Sequence, residues 1–212
     1  MERKEVSKSV LKRLPIYLAY LKGLPEDGTA YISATSLANA LGMGEVQVRK
    51  DLAMVSDGGR PKLGYLRDRL MDDISQFLGY DNTTDAILVG AGKLGQALLG
   101  YNGFEAYGLN ILAAFDVAPV ADKTVDGKPI LPMDELESFC RINKVLMGII
   151  TVPASHAQDV CDKLIACGIK AIWTFAPAHL DVPENILVQN ENMATSLAVL
   201  SMHLQAQIKE KK

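Results

Sequence analysis

The sequence predicts an α/β chain in two parts: an N-terminal domain of winged-helix type over 1–80, then a parallel-sheet domain over 81–212 ending in a helix at about 192–210. Three observations predict it. A short helix, a glycine turn and a second helix follow one another at 34–55, with a basic, glycine-rich loop behind them. From residue 85 onward short apolar runs alternate with helical patterns, as parallel strands and their crossovers do. Charge divides at the same place: residues 1–80 carry 12 Lys/Arg against 10 Asp/Glu, a net +2, and 81–212 carry 10 against 15, a net −5.

Composition sets the outer limits. At 212 residues, 49% hydrophobic and 22% charged, the chain makes one large or two small globular domains. No apolar run reaches the roughly 18–20 residues of a membrane span, and the opening MERKEVSKSVLKRL is charged where a secretory signal is apolar. The expectation is a cytoplasmic protein with no membrane partner. Three cysteines, in neither Cys-x-x-Cys nor Cys/His spacing, predict neither a disulfide framework nor a metal site.

The first helix runs from about Ser9 to Lys22, with Val10, Leu14, Tyr17 and Leu21 on one face. Pro15 puts its regular part after about Lys12 and makes Val6 to Leu11 a looser lead-in. Gly23 and Pro25 stop it. The turn Glu26-Asp27-Gly28 and the β-like pair Tyr31-Ile32 lead to a second helix, Ala34 to Leu41, capped by Ser33 or Thr35. After Gly42-Met43-Gly44 a third helix, Glu45 to Val55, turns Val48, Leu52 and Val55 inward and displays Gln47, Arg49, Lys50 and Ala53 or Met54. Arginine can bridge guanine O6 and N7 in a major groove, while lysine and glutamine reach phosphates or base edges. Ser56 to Tyr65 reads as a β-hairpin wing whose Arg60 and Lys62 suit a minor groove. A basic pair on one helix is most often a solvated face. Helix, turn, helix and basic wing in that order point instead to double-stranded DNA, with Ser33, Gln47, Arg49, Lys50, Arg60 and Lys62 as the facing set. Leu66, Leu70, Ile74, Phe77 and Leu78 form a fourth helix ending at Gly79, and 80–84 reads as a linker.

The second part opens on the buried-strand run Ala86-Ile87-Leu88-Val89, followed at once by Gly90-Ala91-Gly92-Lys93-Leu94-Gly95 and a helix to Leu99. This is Gly-x-Gly-x-x-Gly in its required context: the first glycine allows the tight turn, the second admits a pyrophosphate, and the third lets helix pack on strand. The pattern is that of a Rossmann-type domain. A second strand, Asn110 to Phe115, ends at Asp116, 21 residues beyond Gly95, where a carboxylate holds the adenosine ribose hydroxyls and repels a 2′-phosphate. NAD⁺ and NADH are therefore favoured over their phosphorylated counterparts. Further strands are expected at Lys128–Leu131, Lys144–Thr151, Ala171–Phe175 and Ile186–Gln189, with helices at Met133–Arg141 and Pro153–Cys167. Six strands with crossover helices make an open parallel sheet; Thr151-Val152-Pro153 and Phe175-Ala176-Pro177 fall just past strand ends, where ligand contacts gather. The final helix, about Met193 to Lys209, sets Met193, Leu197, Leu200, Leu204 and Ile208 in one stripe with Val199 and Met202 on another side. It can serve core packing or a second subunit equally well.

No acid–base constellation accompanies the nucleotide motif. His156, His179 and His203 have no obvious partner carboxylate, so the chain reads as no enzyme with no catalytic residue. Cys140, Cys161 and Cys167 read as helix residues, with redox sensing the other possibility.

The order of parts resembles the Rex family of redox-sensing transcriptional repressors, over essentially the whole chain. The resemblance rests on Arg13-Leu14-Pro15-Ile16-Tyr17, Gln47-Val48-Arg49-Lys50-Asp51-Leu52, Gly64-Tyr65, Gly90 to Gly95, Phe115-Asp116, Thr151-Val152-Pro153, and Gly168-Ile169-Lys170 followed by Phe175-Ala176-Pro177. It implies a homodimer with exchanged terminal helices that binds an inverted-repeat operator and releases it when NADH replaces NAD⁺. It also implies a cofactor site of Gly90, Ala91, Gly92, Lys93, Leu94, Gly95, Asp116, Val117, Thr151, Val152, Pro153, Phe175, Ala176 and Pro177, joined by Met193 of the partner subunit. Two segments depart from the family pattern: the wing Asp57-Gly58-Gly59-Arg60-Pro61-Lys62, and Asn192-Met193 where an Asp-Phe pair is common. The rival readings are a small NAD-dependent oxidoreductase with an accessory domain, and a CoA- or nucleotide-binding regulator on the same sheet.

Overall fold

A computed structural model describes residues 6–25, 28, 30–118 and 126–210, except the side chains of Met193 and Glu210. The chain divides into two compact units, Met1–Asn82 and Thr83–Lys212.

In the first unit, helix α1 (Lys8–Lys22) starts earlier than its proline suggests. The Ser7 hydroxyl accepts from the Val10 N–H at 3.4 Å, and this cap starts the helix a full turn upstream of Lys12. Pro15 then lies inside the helix, where its missing N–H would have faced Leu11, a residue on the exposed side. Strand β1 (Tyr31–Ile32) leads to α2 (Ala34–Leu41) and α3 (Glu45–Val55), joined through Gly42 in the left-handed region at φ 64°. Strand β2 (Tyr65–Leu66) runs directly into α4 (Arg67–Leu78). Leu14, Tyr17, Leu18, Leu21, Leu37, Val48, Leu52, Leu70 and Ile74 fill one core among the four helices.

The expected hairpin wing takes another form. β2 pairs antiparallel with β1, Tyr31 opposite Leu66 and Ile32 opposite Tyr65, and not with the chain before the wing. The wing closes on itself by a single bridge, in which Arg60 and Gly64 exchange hydrogen bonds at 2.8 and 2.9 Å. Five residues are too few for longer strands, and Lys62 at the tip takes a left-handed φ of 65° to complete the turn. Gly64, at φ 89°, cannot be replaced without a clash, because a β-carbon there would run into the Ile32 carbonyl.

The second unit is a six-stranded, all-parallel sheet built from β3 (Thr84–Val89), β4 (Leu109–Asp116), β5 (Ile130–Pro132), β6 (Met147–Ile150), β7 (Ala171–Thr174) and β8 (Leu187–Asn190), in the spatial order β5-β4-β3-β6-β7-β8. That order reverses between β3 and β6, the switch point at which dinucleotides bind in such sheets. Helix α5 (Lys93–Leu99) follows β3, α6 (Leu136–Asn143) follows β5, and α7 (Ala154–Ala166) follows β6. Residues 175–186, between β7 and β8, carry no helix. They are tied to α7 instead, by a reciprocal pair of 2.9 Å bonds between the Gln158 amide and the backbone of Asp181. The terminal helix α8 (Met193–Glu210) completes the chain.

Candidate functional site

The glycine turn shows three different reasons for three glycines. Gly90 sits at φ 104°, and a β-carbon there would stand 2.9 Å from a Val152 methyl and 3.0 Å from the Thr151–Val152 backbone. At Gly95 an added carbon would strike the Gly90 carbonyl, so this glycine lets α5 close on the strand. Gly92 is the opposite case. Nothing lies within 4 Å of its β-carbon position, and as N-cap of α5 it offers no side-chain cap to the first-turn N–H groups. Open space over free amides at a helix N-terminus fits a pyrophosphate. The Gln96 amide donates to the Ala91 carbonyl at 2.7 Å and fixes the turn. Lys93 and Leu94 stand exposed on its outer side.

Parallel register brings the other expected residues alongside. Val89 is opposite Phe115 on one side and Ile150 on the other, and Ile150 is opposite Thr174. Asp116, Gly90, Thr151 and Phe175 therefore end four adjacent strands in a row, spanning three inter-strand steps or about 14 Å. An extended dinucleotide has that reach. Asp116 is half-buried; its carboxylate accepts from the Ala91 N–H at 2.7 Å and the Ala118 N–H at 3.0 Å, so it is held against the glycine turn. Val117 beside it is 88% exposed. The Thr151 hydroxyl donates to the Gly90 carbonyl at 2.7 Å and clamps the two strands of the switch point. Val152 and Pro153 lead into α7, Ala176 is buried with its N–H on the Thr174 hydroxyl at 3.2 Å, and Pro177 is exposed. Met193 begins α8, but its side chain lies outside the described residues. An aromatic run leads from Tyr101 through Phe104 and Trp173 to Phe175 at the end of the row, edge to face at its first two contacts and tilted at the third, with centroids 4.9, 5.6 and 4.9 Å apart. Sequence reasoning missed this run because its members come from two segments some 70 residues apart in the chain, roughly a β-sheet's width of topology away.

On the first unit, α3 exposes Gln47, Arg49, Lys50, Ala53 and Met54, as its period requires, and Val46 with them. Arg49 pairs with Glu45 one turn back, on the exposed side. Gln47 reaches inward as well: turned so that its oxygen faces Arg13, its amide accepts from Nη1 at 2.8 Å. Asp51, the acid of the same motif, is buried. Arg13 Nε and Nη2 grip its carboxylate at 2.7 and 2.9 Å, and the Tyr17 hydroxyl donates at 2.8 Å. The Asp51 hydrogen bond holds the Arg13 guanidinium well above its ordinary range, while burial, with Asp51 second, pushes the Tyr17 phenol up to about 12. Arg13 and Tyr17 lie one helical turn apart, and that spacing was the available signal for a pair acting together. Ser33 caps α2, accepting from the Ser36 N–H at 2.9 Å. Arg60 and Lys62 are exposed on the wing.

His156, His179 and His203 are all exposed. Among the described residues no three His, Cys, Asp or Glu side chains gather as a metal site, and no helix is long and apolar enough to cross a membrane.

Residues 5–53 match the family model described as a putative DNA-binding protein N-terminus, and residues 81–178 the one described as a CoA binding domain. Over 92% of its length the chain is 41% identical to the redox-sensing transcriptional repressor Rex of Porphyromonas gingivalis, covering 90% of that protein. The chain belongs to the Rex family. A Rex of Carboxydothermus hydrogenoformans is 38% identical, with 94% of this chain and 97% of that one aligned. Among solved structures, the Rex-family repressor RSP with NAD⁺ and operator DNA matches at a TM-score of 0.88 and 33% identity, over 98% of this chain and 96% of that one. RSP with NADH matches at 0.83 over 99% and 100%. These Rex relatives are transcriptional repressors and not enzymes.

Proposed function

We propose that this chain is a cytoplasmic, homodimeric repressor that grips an inverted-repeat operator with two copies of the α3-and-wing face and lets go when NADH enters the switch-point crevice. One observation carries the reading. The same chain presents an exposed Gln47-Arg49-Lys50 face on one unit and, on the other, a four-strand row with an open glycine cradle at one end and an aromatic run at the other.

Each residue has a defined task in this reading. Gly90, Gly92 and Gly95 bring backbone amides to the pyrophosphate, Ala91 and Lys93 with Leu94 border it, and Asp116 with Val117 receives the adenosine ribose. Thr151, Val152, Pro153, Phe175, Ala176 and Pro177 form the nicotinamide end, where Met193 of the partner subunit would cover the ring. The cofactor supplies a ring that is cationic when oxidised and neutral when reduced. An apolar, aromatic end desolvates a cation at greater cost than a neutral ring, and so favours NADH. Control of DNA then requires that NADH bind the non-DNA arrangement of the dimer more tightly than the DNA-binding one.

The CoA-binding model match keeps a second reading in view. Coenzyme A carries a 3′-phosphate on its adenosine ribose, next to the 2′-hydroxyl that the Asp116 carboxylate would accept from, and the repulsion between these neighbouring anions favours NAD(H).

The test is an anisotropy titration of an A·T-rich palindromic duplex with increasing NADH or NAD⁺. Trp173, the chain's single tryptophan, lies 4.9 Å from Phe175 and reports cofactor entry by energy transfer to the dihydronicotinamide. The expected result is release of DNA over the same NADH range that quenches Trp173. Quenching without release would overturn the sensor reading.

A further inference from the structure

We infer that the Tyr65 hydroxyl is a neutral hydrogen-bond donor to a backbone phosphate of the operator, seated between the recognition helix α3 and the wing. The inference rests on the reading of that face as DNA-binding, and it adds a residue to the set Ser33, Gln47, Arg49, Lys50, Arg60 and Lys62 already placed there.

Tyr65 belongs to β2, held opposite Ile32 of β1, and it is 9% exposed. Its ring is covered by the wing: a methyl group added at Gly59 would stand 3.0 Å from Cζ, 3.1 Å from Oη and 3.2 Å from Cε1. Gly59 is thus the residue that allows the wing to lie flat on the phenol. The hydroxyl itself has no hydrogen-bond partner among the described residues. Every fully buried side-chain polar atom among the described residues does have a partner, so an unpartnered Oη reaches the surface. The Arg49 charge is near enough to oppose the burial that raises the Tyr65 phenol.

A ring this well covered fixes its hydroxyl at one height, with no reach into a groove. Base edges need projecting side chains such as Arg49, whereas phosphates line the groove's rim at the level of the protein surface. A phosphate oxygen only accepts hydrogen bonds, and a phenol at neutral pH donates one. The Arg49 charge, which reaches the phenol, and Arg60, next in chain to Gly59, make the spot attractive to an anion.

Tyr65→Phe keeps the ring under Gly59 and removes the donor. In anisotropy titrations the variant should bind the operator about 3- to 10-fold more weakly, the range of one neutral hydrogen bond. The slope of log affinity against log salt should stay that of the wild type, because no counterion-releasing charge is lost; Arg49→Ala should lower it by about one. A scan of single methylphosphonate substitutions along the half-site gives an independent measurement. One position should weaken the wild type severalfold and leave Tyr65→Phe unaffected. Equal affinity of Tyr65→Phe and wild type, or additive losses at every scanned phosphate, would overturn the assignment while leaving the DNA-binding reading intact. A wild type that fails to bind any palindromic duplex would instead overturn that reading, and the assignment with it.

Discussion

Asp51 follows two exposed bases in the α3 motif, yet its carboxylate points the other way and accepts three hydrogen bonds from Arg13 and Tyr17. The recognition helix is therefore fixed to α1 through a charge pair that is only 4% exposed on its acidic side. Removing one partner of such a pair strands the other, which costs more than the pair itself contributes. Asp51→Ala should destabilise the N-terminal unit by about 3 kcal/mol, a fall of more than about 10 °C in Tm for a domain of this size. Calorimetry checks it, with Arg49→Ala as the exposed control that melts like the wild type. Asp116 makes the complementary case at the cofactor row. Asp116→Ala removes the acceptor for ribose hydroxyls along with the repulsion toward a 2′-phosphate, so NADH affinity should drop about tenfold and NADPH affinity should rise toward it. The ratio of the two in isothermal titration is the decisive quantity, because loosening of the Ala91 turn would weaken both cofactors alike.

Between the elements, the thiols of α6 and α7 illustrate what burial decides. Cys140 and Cys161 are buried under the sheet, and burial pushes each thiol up to about 11; the Cys167 thiol adds to the rise at Cys140, and Asp162 to that at Cys161. The unfolded chain ionises these groups near pH 9, so unfolding releases protons above that pH. The stabilising effect of keeping them neutral is intact below about 9 and lost as pH rises through 11, on the order of 2 kcal/mol for each thiol. Denaturant midpoints of the wild type should fall across that window, and Cys140→Ala with Cys161→Ala should flatten the fall. Thiols this protonated are poor redox sensors at neutral pH. The same elements show what sequence could convey. The alternation of apolar runs and helices made all six strands legible, and so were the tight turn at Gly90 and the close helix–strand approach at Gly95, because backbone sterics depend on residue type alone. Strand ends were less so: Val145 and Leu146 are as apolar in pattern as Met147, but pairing with β3 begins only at Met147. Nor could periodicity show that Gln158 replaces a crossover helix, or that Arg13 meets Asp51 across 38 residues, since both depend on side chains meeting through the tertiary fold.

Helix α8 sets the problem of the whole molecule. Leu197, Leu200, Leu204 and Ile208 are 63, 65, 53 and 45% exposed, and Val199 and Met202 are exposed on another side. Of the two roles its pattern allowed, packing into its own chain's core is excluded for these residues, and a helix apolar on two sides needs a partner with two surfaces. A second copy offering the same helix meets that need, and burial of the exposed half of four such side chains from each chain, at about 1 kcal/mol apiece, favours a dimer. The charge adds to the case: a basic excess of only 2 over residues 1–80 gains little from non-specific attraction to DNA, a weakness that two copies engaging two half-sites at once would offset. Leu200→Asp with Leu204→Asp should therefore convert a dimer to a monomer in light scattering. Because each half-site contact then stands alone, operator affinity should fall by about two orders of magnitude or more, while binding to a single half-site duplex stays at the level of the wild type. A double variant that remains dimeric would assign α8 to a different partner, and one that is monomeric yet binds the full operator as tightly would show that avidity does not drive recognition.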